Sequence, residues 1–300
     1  MASSSAKQDT CVQEWHCIMN PHDIEAAIIL ENNTPIDDFC GLTPTEMHRL
    51  LYNPLGESSA LAVRPDIDDS TLDRIPFFRL TEEFLRIIQR EKHITLTALG
   101  ALPRKVLHEL YAHKFIVEEY IESGIVKLQR EQDSVVLFSL HFNTQLTHLV
   151  KKTRGRLTLT KEGTRLLKAG NRGELFEAVF AAFTLRFGWS SNDGYTRSPV
   201  GQYGWAYSIY LLTKFGDKER TLRFYADKYL QAFPGIMDQF APNSYSTPQK
   251  DFTACYSVRV FQRFLEWFGF VTVEKPKGLL HDYAEKVTRM DLVEKVFQFS

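Results

Sequence analysis

Apolar residues recur at helical spacing through most of the chain, and a Pro or Thr often stands where such a run begins. A Pro start predicts a helix from Pro21 to about Leu30, and a capping box formed by Thr43 and Glu46 predicts a second helix that stops near Tyr52. The other predicted helices begin near residues 81 and 102 or cover 134–149, 164–168, 174–187, 205–215, 218–233, 256–268 and 292–297. The hydrophobic pattern therefore predicts a mainly α protein.

Short β-branched runs interrupt this pattern and predict a few strands. Single strands are predicted at 94–96, 125–128 and 270–275. The runs 149–152 and 156–159 flank the tripeptide Thr-Arg-Gly, which predicts a β-hairpin with Gly155 at a positive φ in its turn. In a winged-helix protein such a hairpin is the wing.

One order of residues occurs three times, as a β-branched run that ends at a Thr and is followed by a helical pattern. The three copies lie at 93–100, 154–163 and 285–291, and their threonines are Thr97, Thr160 and Thr288. A Thr hydroxyl can accept a hydrogen bond from a free N–H of the helical turn that it begins, so each Thr is predicted to cap a helix. The pattern does not support a further copy at Thr213 or Thr221.

A unit of helix, short strand, Thr cap and helix is typical of a winged-helix module. We therefore predict the class mainly α with short β-hairpins (α+β), built from tandem winged-helix-like modules. The segment 188–204 is rich in Gly, Ser, Asn and Pro, which favours a boundary there. Residues 1–190 would hold two modules, and residues 191–300 would form a helical domain that ends in a third winged-helix-like element.

The composition limits the classes to which this protein can belong. The chain has 300 residues, of which 44% are hydrophobic and 24% charged, as in ordinary globular proteins. A net charge of −1 excludes a surface that is basic throughout, so a nucleic-acid site has to be a local patch. We expect no membrane span, because no apolar run approaches the ~18 residues that one needs. The start lacks a secretory signal and the cysteines number four, so a cytoplasmic protein is expected.

Positive charge concentrates in the predicted hairpin and in the helix after it. We predict a nucleic-acid-binding surface made of Lys151, Lys152, Arg154, Arg156, Lys161 and Arg165. The run continues with Lys168 and Arg172 and contains one acidic residue, Glu162. Cations on a wing displace counterions from phosphates, so duplex DNA is the expected partner. The alternative is a hairpin whose charge only keeps it solvated, in a protein–protein interaction module without catalytic activity.

Other chemistry has weaker support in the sequence. The N-terminal region gathers possible zinc ligands, namely Cys11, His16, Cys17, His22, Cys40 and His48. Their spacing differs from the paired spacing of zinc sites, so no metal and no cofactor are predicted. Cys255, His281 and Asp282 could form a nucleophile, base and orienting acid, but no local motif surrounds Cys255, which is predicted to be buried. We therefore expect that the protein is not an enzyme.

The predicted boundary segment is itself rich in large side chains. It contains Trp189, Asp193, Tyr195, Arg197, Tyr203 and Trp205. Such a mixture could line a ligand pocket or stack on bases. The other interpretation is a long loop between helices that is held in place by its own aromatic side chains.

Three stretches of the chain resemble a family of uncharacterised bacterial proteins. They are residues 41–54 (GLTPTEMHRLLYNP), 96–111 (LTALGALPRKVLHELY) and 157–163 (LTLTKEG). The resemblance is best between about residues 40 and 165, and it implies a winged-helix-like architecture but no activity. Some relatives carry an added Cys-rich zinc-binding tail. This chain ends in Phe-Gln-Phe-Ser instead, so that cofactor is not expected.

Overall fold

The structure is a computed structural model that describes residues 21–56, 59–274 and 284–299. Its α-helices are α1 (Pro21–Asn32), α2 (Pro44–Tyr52), α3 (Asp69–Leu72), α4 (Pro76–Glu91), α5 (Arg104–Ala112), α6 (Glu119–Glu122), α7 (Val135–Leu146), α8 (Lys161–Leu166), α9 (Arg172–Ala181), α10 (Trp205–Phe215), α11 (Leu222–Ala232), α12 (Pro248–Tyr256) and α13 (Leu292–Val296). Its strands are β1 (Leu61–Val63), β2 (Ile94–Thr95), β3 (Val150–Thr153), β4 (Arg156–Leu159), β5 (Arg220–Thr221), β6 (Val271–Glu274), β7 (Lys286–Arg289) and β8 (Phe297–Phe299).

Helices α9 and α12 both continue as π-helices, over Ala182–Arg186 and Ser257–Leu265. Short 3₁₀ turns cover Asp37–Phe39, Glu131–Asp133, Trp189–Asn192 and Pro234–Gln239. The predicted class, mainly α with short antiparallel strands, is confirmed. No helix among the described residues is both long enough and apolar enough to cross a bilayer.

The start of α2 follows from its sequence alone. The Thr43 hydroxyl accepts a hydrogen bond from the Glu46 amide at 3.2 Å, and the Glu46 carboxylate accepts one from the Thr43 amide at 2.7 Å. Two free N–H groups are satisfied reciprocally in this way. The predicted capping box is confirmed.

The start of α4 differs from the prediction. The helix begins at Pro76, five residues before Thr81, because a Pro suits the first helical position and Ile75 before it is extended. Thr81 is buried inside the helix, and its hydroxyl donates to the Phe77 carbonyl oxygen at 2.8 Å. A Thr hydroxyl can donate to a carbonyl of the preceding helical turn, which allows Thr to lie inside a helix. Thr81 is therefore an interior residue of α4 and does not cap it.

The three predicted Thr caps have different outcomes. Thr160 follows β4 directly and accepts a hydrogen bond from the Gly163 amide at 3.0 Å, as predicted. Thr97 is not a helix cap, because α5 begins only at Arg104 and the Thr97 hydroxyl instead accepts from the Ala101 amide within a tight turn. Thr288 lies inside β7, and the helix after it begins at Leu292.

Two further predictions need correction. A helix over 218–233 was expected, but β5 occupies its start, and Thr221 then caps α11 by accepting from the Phe224 amide at 3.2 Å. Thr221 is therefore a strand-to-helix cap that the pattern did not indicate. Residues 125–128 form no strand, since the first residues of this run bond only to the neighbouring turn, where the Val126 amide donates to the Tyr120 carbonyl at 2.8 Å.

Two units of the chain repeat the same order of elements. In the first unit the order is α4, β2, α5, α7, β3 and β4, with the four-residue helix α6 between α5 and α7, and the sheet order is β2-β4-β3. In the second unit, α10, β5, α11, α12, β6 and β7 follow one another, and the sheet order is β5-β7-β6. The last strand is central in both antiparallel sheets. Apart from the short α6, each unit is thus helix, strand, two helices and a closing pair of strands.

An aromatic core lies between the two units. The Phe180 ring of α9 is within 6.4 Å, centroid to centroid, of the rings of Phe176, Trp205, Phe264, Phe268, Phe270 and Phe297. The strand pair β1 and β8 also joins distant parts of the chain, with Leu61 opposite Phe299. Buried residues form one continuous cluster across residue 190. The division into domains at that residue stays a prediction.

Candidate nucleic-acid interface

The hairpin that carries the predicted site turns on two residues. Arg154 and Gly155 have φ angles of 50° and 72°, and two positive values in sequence are what a type I′ turn needs. Thr153 pairs with Arg156, so only these two residues form the loop. The predicted positive φ at Gly155 is confirmed, and the same turn places Arg154 at the tip of the hairpin.

Three of the predicted cations share a groove at one face of this hairpin. Opposed residues of an antiparallel pair lie on the same face, and Lys151 is opposite Thr158 while Thr153 is opposite Arg156. We call this surface the outer face. A groove of about 670 Å³ on it is lined by Lys151, Thr153, Arg154, Arg156, Thr158 and Leu159. Cationic and hydroxyl side chains therefore alternate across the groove.

Lys152 lies on the opposite face of the sheet. Its partner across the strand pair is Leu157, which is fully buried. The Lys152 ammonium group extends beside the turn that precedes α5, and it lies 2.8 Å from the place that a Cβ would take on Gly100. Lys152 is exposed, but it cannot contact the same bound group as Lys151.

The cations of the hairpin and Lys161 at the start of α8 form no ion pair with the carboxylates that the structure describes. Lys151, Lys152, Arg154, Arg156 and Lys161 are all exposed. In residues 21–56, 59–274 and 284–299, no carboxylate comes within ion-pair distance of any of the five. Their charge is consequently available to an external anion.

Arg165 and Arg172 of the same run are engaged by the protein itself. The Arg165 guanidinium contacts Glu162 at 2.6 Å and Glu174 at 2.7 Å. Hydrogen bonds from Glu162 and then Glu174 raise the pKa of Arg165 above its ordinary value. Arg172 donates two bonds of 2.8 Å to the carboxylate of the buried Glu82. Arg165, a predicted site residue, therefore contributes less free positive charge than the hairpin does.

The aromatic-rich segment 188–204 is a loop held by a side chain from elsewhere in the chain. Arg259, on the π-helix after α12, forms an ion pair with Asp193, and neither side chain has any solvent-exposed surface. Trp189 contributes as well, because its indole N–H donates to the Phe183 carbonyl at 2.8 Å. The interpretation as a loop held by its own aromatics was thus incomplete. Its main anchor, Arg259, lies 66 residues away from Asp193.

The environment of Cys255 opposes a role as a nucleophile. Its side chain is fully buried, and burial raises the pKa of the thiol to about 12. The thiolate is the reactive form, and it would be scarce at neutral pH. His281 and Asp282 lie outside the described residues.

We predict that native protein at pH 8 does not react with iodoacetamide at Cys255, because the thiol is buried and protonated. In guanidinium chloride the same residue should be alkylated fully. Peptide mapping by mass spectrometry measures both states. Rapid modification of Cys255 in the folded protein would contradict the assigned burial.

Among the described residues, no three His, Cys, Asp or Glu side chains come together to hold a metal. Cys40 is buried and not disulfide-bonded. Cys11, His16 and Cys17 lie outside the described residues. The expectation of no metal stays a prediction.

The first unit and its basic hairpin lie in a segment that matches a known family model. Residues 73–172 match the family model of the Y4jL N-terminal domain. The Y4jL N-terminal domain family is uncharacterised, as the resemblance in the sequence implied. The match covers the elements from α4 to α8. It includes the second and third of the three stretches, but not residues 41–54. No curated protein and no solved structure matches the chain significantly.

The ends of the matching segment meet in the fold. It begins at Asp73 and ends at Arg172, and the Arg172 guanidinium lies 2.9 Å from the Asp73 carboxylate. The Y4jL N-terminal domain segment is therefore closed by an ion pair of its first and last residues. The segment also contains all six predicted site residues.

Proposed function

We propose that this protein binds duplex DNA through the basic hairpin of β3 and β4. The observation that carries the proposal is the set of exposed cations on the hairpin and at the start of α8 that have no carboxylate partner among the described residues, in a chain whose net charge is −1. Free Lys and Arg side chains gain most from phosphates, because each contact releases condensed counterions. We propose no catalytic step.

The repeated order of elements supports a winged-helix interpretation of both units. Helix, strand, two helices and a closing hairpin is the succession expected of such a module, and the central position of the last strand is consistent with that hairpin being a wing. The two sheets differ in charge. Two cations of β7, Lys286 and Arg289, contact Glu219 at 2.7 Å and Glu294 at 3.0 Å. Because these two cations are paired, the hairpin of the first unit is a better candidate for DNA binding than the hairpin of the second unit.

The proposal predicts a strong salt dependence. If Lys151, Arg154 and Arg156 each contact one phosphate, the logarithm of the affinity should fall with the logarithm of salt concentration with a slope of about −3. Lys152 and Lys161 would steepen this slope if they also reached the backbone. A fluorescence-anisotropy titration of a labelled duplex at several salt concentrations measures it.

The triple variant Lys151→Glu, Arg154→Glu and Arg156→Glu should bind duplex DNA at least about 100-fold more weakly at low salt, because three contacts become three repulsions. A second triple variant, Arg197→Glu, Lys218→Glu and Lys250→Glu, changes the net charge equally at exposed positions elsewhere and should bind as wild type does. Circular dichroism checks that both variants fold. Absence of binding by wild type, or equal loss in both variants, would remove the support for a DNA role.

A protein-interaction module is the second candidate, and α1 favours it. Ile28, Ile29 and Leu30 on this helix are 51%, 56% and 70% exposed. Such a cluster of exposed apolar side chains is typical of a contact surface. The aromatic side chains of the second unit support this candidate less, since most of them are buried in the core.

A further inference from the structure

The helix that would read bases in the first unit is α7. In helix-turn-helix proteins and their winged relatives, the last helix before the hairpin enters the major groove and contacts base edges. By order of elements α7 holds this position, after α5 and the short α6 and directly before β3. Its sequence, VVLFSLHFNTQL, contains no Lys or Arg.

Other parts of the protein cover α7. The Asn143 amide donates to the Val179 carbonyl of α9 at 3.3 Å, and the Arg186 guanidinium of the following π-helix donates to the Leu146 carbonyl at 2.9 Å. Phe142, at 43%, is the one residue of α7 that is more than partly exposed. Helix α9 and the π-helix that continues it thus cover part of α7 and restrict its access to DNA.

The N-terminus of α7 is also occupied. The Glu118 carboxylate accepts hydrogen bonds from the Val135 amide at 2.9 Å and from the Val136 amide at 3.4 Å. A helix N-terminus attracts anions through these free N–H groups. Because an internal carboxylate already uses them, this end of α7 has no place for a phosphate.

Unlike the N-terminus of α7, the outer face of the hairpin carries polar groups that could bind a phosphate. Its Thr158 hydroxyl oxygen is shielded from water and has no hydrogen-bond partner among the described residues. Lys151 lies directly across the strand pair, and Arg156 lies on the same face two residues earlier. A buried hydroxyl without a partner loses free energy that a bound acceptor would restore. A phosphate oxygen between the two cations can accept that hydrogen bond.

We infer that the outer face is a phosphate seat formed by Lys151, Arg156 and Thr158, and that the protein contacts the sugar–phosphate backbone without reading bases. This inference rests on the proposed DNA binding and specifies its mode. Backbone contacts fix position but carry no sequence information. With α7 covered, the first unit presents no recognition helix to the base edges, so we expect binding to be independent of sequence.

The first test compares unlabelled duplexes of equal length as competitors for a bound, labelled duplex. An AT-rich duplex, a GC-rich duplex and a mixed one should compete within about twofold of each other. A preference of tenfold or more for one of them would overturn the inference and leave the proposed function standing. Failure of wild type to bind any duplex at low salt would overturn both.

The second test removes a single hydroxyl group. Thr158→Val keeps the β-branched shape and should weaken DNA binding about threefold to tenfold, the usual effect of one hydrogen bond, with an unchanged salt slope. Thr272→Val, at an exposed position on β6 of the second unit, is the matched control and should have no effect. Wild-type affinity of Thr158→Val, with both proteins folded, would overturn the phosphate seat.

Discussion

Replacing Arg259 by Leu is expected to lower the free energy of unfolding by about 3–5 kcal/mol, the usual cost of removing one partner of a buried ion pair. Its five N–H donors all find acceptors, on the Asp193 carboxylate and on the carbonyl oxygens of Thr196, Ser198 and Val200. The variant would leave the Asp193 carboxylate unpaired in a place without solvent contact. Urea unfolding followed by circular dichroism measures the loss.

Arg197→Leu is the control for this experiment. Arg197 belongs to the same loop, but it is exposed, so its loss should change the free energy of unfolding by no more than about 0.5 kcal/mol. Adding Asp193→Leu to Arg259→Leu should recover part of the loss, because the uncompensated charge is then gone. An Arg259→Leu protein as stable as wild type would refute the assignment of this side chain as the anchor of the loop.

Glu82→Ala is expected to have a similarly large effect, about 3–5 kcal/mol, because Glu82 is buried and joins α4 to α9. Its carboxylate receives two 2.8 Å bonds from Arg172, and Arg86 lies 3.4 Å away. Removing it leaves the Arg172 guanidinium, which is 15% exposed, without its main partner. Glu177→Ala, at an exposed position of α9, should change the free energy of unfolding little.

A double-mutant cycle with Arg172→Ala separates stability from DNA binding. The free energies of unfolding of the two single variants should not add, because both remove the same contact. At a temperature where Arg172→Ala is still folded, the affinity of this variant for duplex DNA should lie within about twofold of wild type. The reason is that the Arg172 guanidinium of the wild type is already paired with carboxylates of the protein. A drop as large as that of the triple hairpin variant would place Arg172 in the interface instead.

The three predicted Thr caps show how much of a helix start can be predicted from neighbouring residues alone. Thr97 and Thr160 both end a β-branched run, yet only Thr160 caps a helix. After Thr97 the chain meets Gly100, with a φ of 80°, and then Pro103, which keeps the residue before it out of the helical region. Both residues are present in the sequence, and together they indicate that no helix begins at Thr97. Thr221 gave no such local sign, because its strand exists only through pairing with β7.

The basic run shows a second limit. Composition and spacing located the free charge of the hairpin, since a run with so few acids must expose cations somewhere. Spacing could not tell which of these cations meet a carboxylate from another segment. Arg172 is paired with Glu82, 90 residues away, whereas Arg156 has no carboxylate partner in the part of the chain that the structure describes. The register of β3 and β4 likewise separates Lys152 from Lys151.

By itself the sequence determined the mainly α class, the capping box of α2, the hairpin with Gly155 in its turn and the location of the positive charge. These depend on residues within a few positions of one another, where propensity, capping and turn geometry act directly. Only the tertiary structure decided that α7 is covered by α9, that Arg259 holds the loop at Asp193 and that the Thr158 hydroxyl has no partner among the described residues. Each of these depends on contacts between segments distant in sequence, whose energies no local pattern contains.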